Sequence, residues 1–67
     1  MNSNIRYPEV TVTLMGEDGN AFNLLGITMR ALRRHRVPEE EVREFYEEAT
    51  AGDYTHLLTT ISRWVVV

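Results

Sequence analysis

The chain has 67 residues, a net charge of −3 at neutral pH and no cysteine. A chain this short buries only about 60% of the surface that its unfolded form exposes, so small domains commonly add disulfides, a metal or a second subunit. The missing cysteines exclude disulfides and thiolate metal sites, and the two histidines are too few to hold a structural zinc ion unaided. We therefore expect a homo-oligomer without a cofactor or metal.

The sequence favours a cytoplasmic address. Residues 1–6 are polar and lack the apolar centre of a signal peptide. No apolar run approaches the ~20 residues that span a bilayer, so we expect no membrane partner. The net negative charge argues against non-specific binding to nucleic acid, although a local basic patch can act against the overall sign.

The N-terminal part of the chain predicts a tail followed by a strand. Residues 1–8 are expected to form a flexible tail, and residues 9–67 a single domain. Pro8 disfavours helix immediately before it, and residues 9–15 alternate with the period of two that is typical of a strand. One face of this strand carries Val10, Val12 and Leu14.

A turn at residues 16–19 separates the strand from the first helix. Asn20, or Asp18 within the turn, can cap that helix. From Ala21, apolar residues recur at intervals of three and four, which predicts a helix through about His35. Its apolar stripe consists of Phe22, Leu25, Met29 and Leu32.

Two more helices and a short strand are predicted after this. Pro38 suits the first position of the second helix, Gly52 suits the C′ position that follows it, and Asp53 suits the N-cap of the third. Residues 64–67 have strand composition, although they could instead finish the helix. The predicted buried faces carry Val42, Phe45, Tyr46, Ala49, Tyr54, Leu57, Leu58, Ile61 and either Trp64 or Val65.

The predicted fold is therefore a β-α-α-α-β domain of the α+β class. A lone strand leaves its backbone groups unpaired and exposes an apolar edge. Its partner could be the C-terminal segment Val65–Val67, the same strand of another subunit, or both. Because two short strands make only a marginal sheet, this is a second, independent reason to expect a homo-oligomer.

Charge is concentrated in two neighbouring blocks. Four of the seven arginines fall within residues 30–36, and six of the ten carboxylates fall within residues 39–48. The chain has no lysine, so every fixed positive side chain is a guanidinium that can make forked contacts with carboxylate or phosphate. The favoured interpretation is structural: the arginines face a helix C-terminus and pair with the glutamates of the next helix. The functional alternative is an anion site, which needs at least two guanidiniums without glutamate partners.

Other candidate residues are assigned mainly to structure. Asn20 is expected to be a cap, with a weaker possibility that it hydrogen-bonds a ligand. Gly26 allows close approach by another helix or, less favoured, a flat ligand. Trp64 is expected in the core, although it could stack on a base if an assembly forms a pocket. The candidate ligand-binding residues are Arg30, Arg33, Arg34, Asn20, Gly26 and Trp64.

Catalysis is not expected. Asp53 is explained as a cap, and His56 lies three residues beyond it, within reach of that cap or of the acidic second helix. No serine or cysteine nucleophile is placed beside a base in this sequence. We therefore expect a non-enzymatic protein.

Several short segments form a recognisable combination that covers nearly the whole chain beyond the tail: Val10–Gly16, Asp18–Phe22, Leu25-Gly26, Ala31–Arg34, Glu48–Thr50, Gly52–Tyr54, Leu57-Leu58 and Trp64-Val65. This combination resembles small uncharacterised proteins encoded by bacteriophages, prophages and related bacterial genomes. The resemblance implies an accessory role, such as one in phage–host conflict, and transfers no activity to individual residues.

These observations lead to one main functional hypothesis with two versions. The chain is expected to be a non-enzymatic, phage-type accessory protein that acts by binding. It either blocks or bridges a host or phage protein, or sequesters a small anionic, nucleotide-like ligand at a subunit interface. The alternative is a nucleic-acid-binding protein that presents the arginine-rich first helix, whose affinity would fall steeply with salt.

Overall fold

The computed structural model describes residues 5–13 and 20–67. Its elements, in chain order, are β1 (Tyr7–Thr11), α1 (Ala21–Arg34), α2 (Glu39–Ala49), α3 (Tyr54–Trp64) and β2 (Val65–Val66). The chain is therefore an α+β domain with the predicted order of elements. The predicted turn at 16–19, and Leu14 and Met15 of the predicted strand, lie outside the described residues.

The two strands pair in parallel, with Tyr7 opposite Val65 and Thr11 opposite Val66. The pairing is irregular between these two points, in the stretch that contains Pro8, which has no N–H to donate to a ladder. β1 begins at Tyr7, two residues before the predicted start, because the C-terminal segment supplies a partner there. Of the predicted partners for the first strand, the C-terminal segment is the one that the structure shows.

The ends of the strand pair connect it to the helices. The N–H of Arg6 donates to the carbonyl of Arg63 at 2.9 Å, in the last turn of α3. At the other end, the N–H of Val12 donates to the carbonyl of Val66 at 2.8 Å. Val10 and Val12, which the sequence placed on one face of the strand, are both buried. The strand pair is therefore anchored on the core by its own side chains and on α3 by its backbone.

α1 begins and ends with side-chain and backbone caps. The Asn20 side chain accepts hydrogen bonds from the N–H groups of Phe22 (2.9 Å) and Asn23 (3.2 Å), as expected of an N-cap. At the other end, the N–H of Val37 donates to Leu32 and that of Arg36 to Arg33. This is the Schellman pattern, in which the C′ residue takes a left-handed conformation that glycine usually fills. Here Arg36 takes it, with a φ of 64°.

The buried face of α1 is rotated from the predicted stripe. Leu25 and Leu32 are buried as predicted, but Phe22 is 80% exposed. Leu24 and Thr28 are buried in its place. The hydroxyl of Thr28 donates to the carbonyl of Leu24 at 2.9 Å, so the one polar side chain on this face is satisfied inside its own helix.

The corner between α2 and α3 depends on one glycine and one histidine. α2 ends at Ala49, and Asp53 caps α3 by accepting from the N–H of His56 at 2.9 Å. The Nε2–H of His56 donates to the carbonyl of Glu48 at 2.8 Å, near the end of α2. A Cβ on Gly52 would lie 2.8 Å from both Cβ and Cγ of His56. Gly52 is therefore required by the close approach of the histidine.

The core lies where the three helices meet the strand pair. The edge of the Trp64 ring meets Phe45 with centroids 5.5 Å apart, and Tyr7 lies on it at 6.0 Å. The buried apolar residues are Val10, Val12, Leu24, Leu25, Leu32, Val37, Val42, Phe45, Ala49, Leu57, Ile61, Trp64 and Val65. Three residues predicted on buried faces of α2 and α3 are instead exposed: Tyr46, Tyr54 and Leu58.

Candidate functional site

The arginine block at the end of α1 is only partly neutralised by α2. Arg33 is paired with Glu39, its Nε donating to Oε2 at 2.8 Å. The hydrogen bond from this guanidinium lowers the pKa of Glu39 from its ordinary value. Both side chains are more than half exposed. The predicted pairing of arginines with the next helix therefore holds for this one pair.

Arg30 and Arg34 have no ion-pair partner among the described residues. They lie four positions apart on α1, so both project from one side of the helix. That side faces the end of β1, and a groove of about 240 Å³ opens between the two elements. The described residues that line it are Thr11, Val12, Thr13, Ile27, Arg30, Ala31 and Arg34.

The groove has the chemistry of an anion site. Its described lining contains two guanidiniums and two threonine hydroxyls, which are hydrogen-bond donors. It contains no carboxylate. Ile27 and Ala31 contribute apolar surface beside the charged groups. Among the six candidate residues from the sequence, the structure brings Arg30 and Arg34 together here and assigns the other four to different places.

Asn20, Arg33, Gly26 and Trp64 do not line this groove. Asn20 caps α1, and Arg33 points to Glu39. Gly26 lies on the outer face of α1, where a Cβ would meet nothing within 4 Å, so none of the described residues makes the helix contact expected at this position. Trp64 is 2% exposed and lies in the core, as its favoured interpretation predicted.

A second charged cluster, not predicted from the sequence, fastens β1 to α2. Arg6 forms ion pairs with Glu44 at 3.2 Å and Glu41 at 3.5 Å. Its guanidinium also lies 4.3 Å from the centroid of the Trp64 ring, within the range of a cation–π contact. The Nε1–H of Trp64 donates to Glu48 at 3.2 Å. The sequence signal was the spacing of the three glutamates, which places them along one side of α2.

Tyr7 completes this cluster. Its hydroxyl donates to the carboxylate of Glu41. Burial, followed by this hydrogen bond, raises the pKa of Tyr7 above its ordinary value. The acidic side of α2 therefore holds the residues that start β1, which explains part of the acidic block as structural.

The described residues contain no group of three or more histidine, cysteine, aspartate or glutamate side chains placed to hold a metal ion. His56 is engaged through its ring with Glu48 and through its backbone with Asp53. None of the helices in the described part of the chain has the length and apolar character needed to cross a membrane.

Comparison with known proteins finds no matching family, no matching curated protein and no matching solved structure. The resemblance to phage- and prophage-encoded proteins stays a prediction. Among the described residues, the groove between β1 and α1 is the feature that bears on function.

Proposed function

We propose that this chain is a non-enzymatic binding protein that holds the anionic group of a small ligand in the groove between β1 and α1. One observation carries the proposal. Arg30 and Arg34 open onto the same groove without an ion-pair partner among the described residues, whereas Arg6 and Arg33 are paired with glutamates. Two unpaired guanidiniums in one groove attract an anion and can bind it with several hydrogen bonds.

A phosphate-bearing ligand fits the donors of this groove best. Each guanidinium can make forked contacts with phosphate oxygens. The hydroxyls of Thr11 and Thr13 can donate to oxygens that the arginines leave free. The groove is smaller than most small-molecule pockets, which measure about 300–1,000 Å³. It therefore favours a compact ligand.

The same lining argues against recognition of a nucleobase. No aromatic side chain is among the described residues that line the groove, and Trp64 is buried in the core. Base stacking on an aromatic ring is a major source of affinity for flipped or unpaired bases. We therefore expect nucleotides to bind mainly through their phosphates, with little discrimination between bases.

The test is calorimetric titration with inorganic phosphate, pyrophosphate and a panel of nucleoside mono-, di- and triphosphates at low salt. We expect saturable binding of at least one of these anions. Arg30→Gln and Arg34→Gln should each weaken it tenfold or more, because a hydrogen bond to a charged group contributes about 1.5–3 kcal/mol. Arg63→Gln is the matched control: it makes the same charge change on α3, outside the groove, and should leave affinity unchanged.

Three results would contradict the proposal. One is the absence of binding by every phosphate compound in the panel. Another is an equal loss of affinity in Arg63→Gln, which would show a general charge effect. A third is tight, steeply salt-dependent binding of DNA or RNA with no saturable binding of small phosphates, which would favour the nucleic-acid alternative.

A further inference from the structure

Three features follow one another along the outer face of α1: the exposed ring of Phe22, then Gly26, then an open groove beside Met29. Phe22 is 80% exposed. Gly26 follows one turn later, and nothing lies within 4 Å of a Cβ added there. Met29 comes three residues after that and helps to line a second groove, of about 270 Å³, between α1 and α2. The other lining residues of this groove are Arg33, Glu39, Val42, Arg43 and Tyr46.

We infer that a second copy of this chain docks on this face, through antiparallel packing of two α1 helices that cross at Gly26. The two-fold axis passes beside Gly26. A residue of one α1 helix therefore lies level with the residue of the partner's α1 that is the same number of positions from residue 26 in the other direction. Phe22 then faces residues 29 and 30 of the partner subunit, beside the groove. The contact is reciprocal, as a two-fold interface requires.

The dimensions of the groove suit this occupant. An apolar cavity of about 150 Å³ already holds a benzene ring, so a groove of about 270 Å³ can receive the phenyl ring of Phe22. Met29 and the ring of Tyr46, which is itself 43% exposed, provide its accessible apolar wall. Gly26 lets the two backbones approach closely at the crossing.

The area that this contact covers is a substantial part of what a dimer needs. An aromatic side chain presents roughly 200 Å², so the exposed fractions of Phe22 and Tyr46 amount to about 250 Å² per subunit. One side of a standard interface buries about 800 Å². Two aromatic side chains therefore supply nearly a third of it.

The charges on α1 favour antiparallel over parallel packing of the two helices. α1 contains no acidic residue, and its last turn carries Arg33 and Arg34. Parallel packing would bring these arginines of the two subunits together. In antiparallel packing at Gly26, the two copies of Arg33 lie about 20 Å apart, because each is seven residues from the crossing at 1.5 Å per residue.

The absence of cysteine allows a direct test with single-cysteine variants. Under mild oxidation, Gly26→Cys should form a disulfide-linked dimer, because the two-fold axis brings its copies within the 4.4–6.8 Å between Cα atoms that a disulfide spans. Arg33→Cys and Leu58→Cys should form no disulfide-linked dimer: the first is exposed on α1 but far from its own copy, and the second is exposed on α3. Cross-linking of Gly26→Cys no faster than of Leu58→Cys would overturn the inference.

Sedimentation equilibrium tests the non-covalent contact. The wild type should dimerise, and Phe22→Ser and Gly26→Gln should each weaken dimerisation at least tenfold. Both variants should keep the wild-type circular dichroism, because Phe22 is exposed and the space beside Gly26 is open. Leu58→Ser is the control for loss of an exposed apolar side chain elsewhere. A wild type that stays monomeric, or a dimer unaffected by Phe22→Ser, would overturn the inference, including the case in which another protein occupies the face.

The inferred dimer and the proposed anion site are tested by different measurements, although Phe22 faces residue 30 of the partner subunit, a position that lines the anion groove. Gly26→Gln and Phe22→Ser change neither guanidinium of the groove between β1 and α1. Their effect on sedimentation can therefore be read separately from the effect of Arg30→Gln and Arg34→Gln on phosphate binding.

Discussion

Arg36 adopts a backbone conformation that disfavours its own side chain. Its φ of 64° places it in the left-handed region, which costs an L-residue with a Cβ about 1–2 kcal/mol relative to glycine. The surrounding Schellman hydrogen bonds from Arg36 and Val37 maintain this conformation. The chain therefore ends α1 with a strained residue where glycine would be relaxed.

We predict that Arg36→Gly stabilises the protein by about 1 kcal/mol, because glycine adopts a positive φ without strain. Urea unfolding followed by circular dichroism measures the change. Arg30→Gly is the matched control, since the same substitution inside α1 should destabilise by about 1 kcal/mol through lost helix propensity. Destabilisation by Arg36→Gly would show that the guanidinium contributes more than the strain costs.

Gly26 and Gly52 are expected to respond in opposite directions to the same substitution. Gly26→Ala should stabilise by roughly 0.5–1 kcal/mol, because its Cβ enters open space within an exposed helix face. Gly52→Ala should destabilise by roughly 1–3 kcal/mol, because its Cβ would meet His56 at 2.8 Å. Urea unfolding at a protein concentration that keeps the chain monomeric compares the two. Equal effects at the two positions would contradict the described corner between α2 and α3.

At the scale of elements, β1 depends on the acidic side of α2. Tyr7 donates to Glu41, and its pKa is raised, first by burial and then by this carboxylate. The folded state therefore holds the Tyr7 proton to a higher pH than the unfolded state does. This contribution to stability is fully present below pH 10, the ordinary pKa, and is lost as the pH rises through the raised value.

We predict a fall in the free energy of unfolding above about pH 10, which the Tyr7→Phe variant should largely lack. Phenylalanine keeps the ring against Trp64 and has no proton to lose. Tyr54→Phe is the control, because Tyr54 is 41% exposed. Urea unfolding between pH 8 and pH 11 measures the difference. An identical slope in wild type and Tyr7→Phe would show that another group causes the loss.

The comparison between sequence and structure is also clearest at this scale. The spacing of apolar residues and the helix caps predicted the order of elements. The caps were predictable because Asn20 and Asp53 accept hydrogen bonds from backbone N–H groups only two or three residues away. The spacing of apolar residues in α1 did not predict which face of the helix is buried. Leu25 belongs both to the predicted stripe and to the observed one, and the contacts of α1 with α2, α3 and β1 decide between them. Phe22 was therefore assigned to the core although it is exposed.

The sequence predicted the chemistry of the candidate site but not which residues form it. The arginine block indicated an anion site, and the adjacent glutamates indicated ion pairs. Which guanidinium meets a glutamate depends on how α1 and α2 pack, which the sequence does not state. The structure pairs Arg33 and leaves Arg30 and Arg34 facing β1. The contacts of Arg6 with α2 join residues 35 or more positions apart, so the spacing of the glutamates along one side of α2 did not indicate which arginine they meet.

At the scale of the whole molecule, the described residues separate basic from acidic surface. The groove between β1 and α1 carries two guanidiniums that have no ion-pair partner among the described residues, whereas the first turn of α2 carries Glu39, Glu40 and Glu41. A net charge of −3 therefore coexists with a groove whose charged residues, among those described, are two arginines. Such a site is most effective for a small ligand, because a long polyanion would also meet the acidic helix.

The second subunit that we infer would add to the stability of this small chain. A dimer unfolds to two chains, so each tenfold rise in protein concentration stabilises the folded dimer by about 1.4 kcal/mol. For a dimer of this total size, we predict a rise in Tm of about 4 °C per tenfold concentration. Phe22→Ser should lower Tm most at high concentration and remove the dependence of Tm on concentration, because it removes the ring that we infer to fill the partner's groove. Differential scanning calorimetry over two decades of concentration measures this, with Leu58→Ser keeping the wild-type slope. A wild-type Tm that does not change with concentration would show that the monomer's core alone supplies the stability.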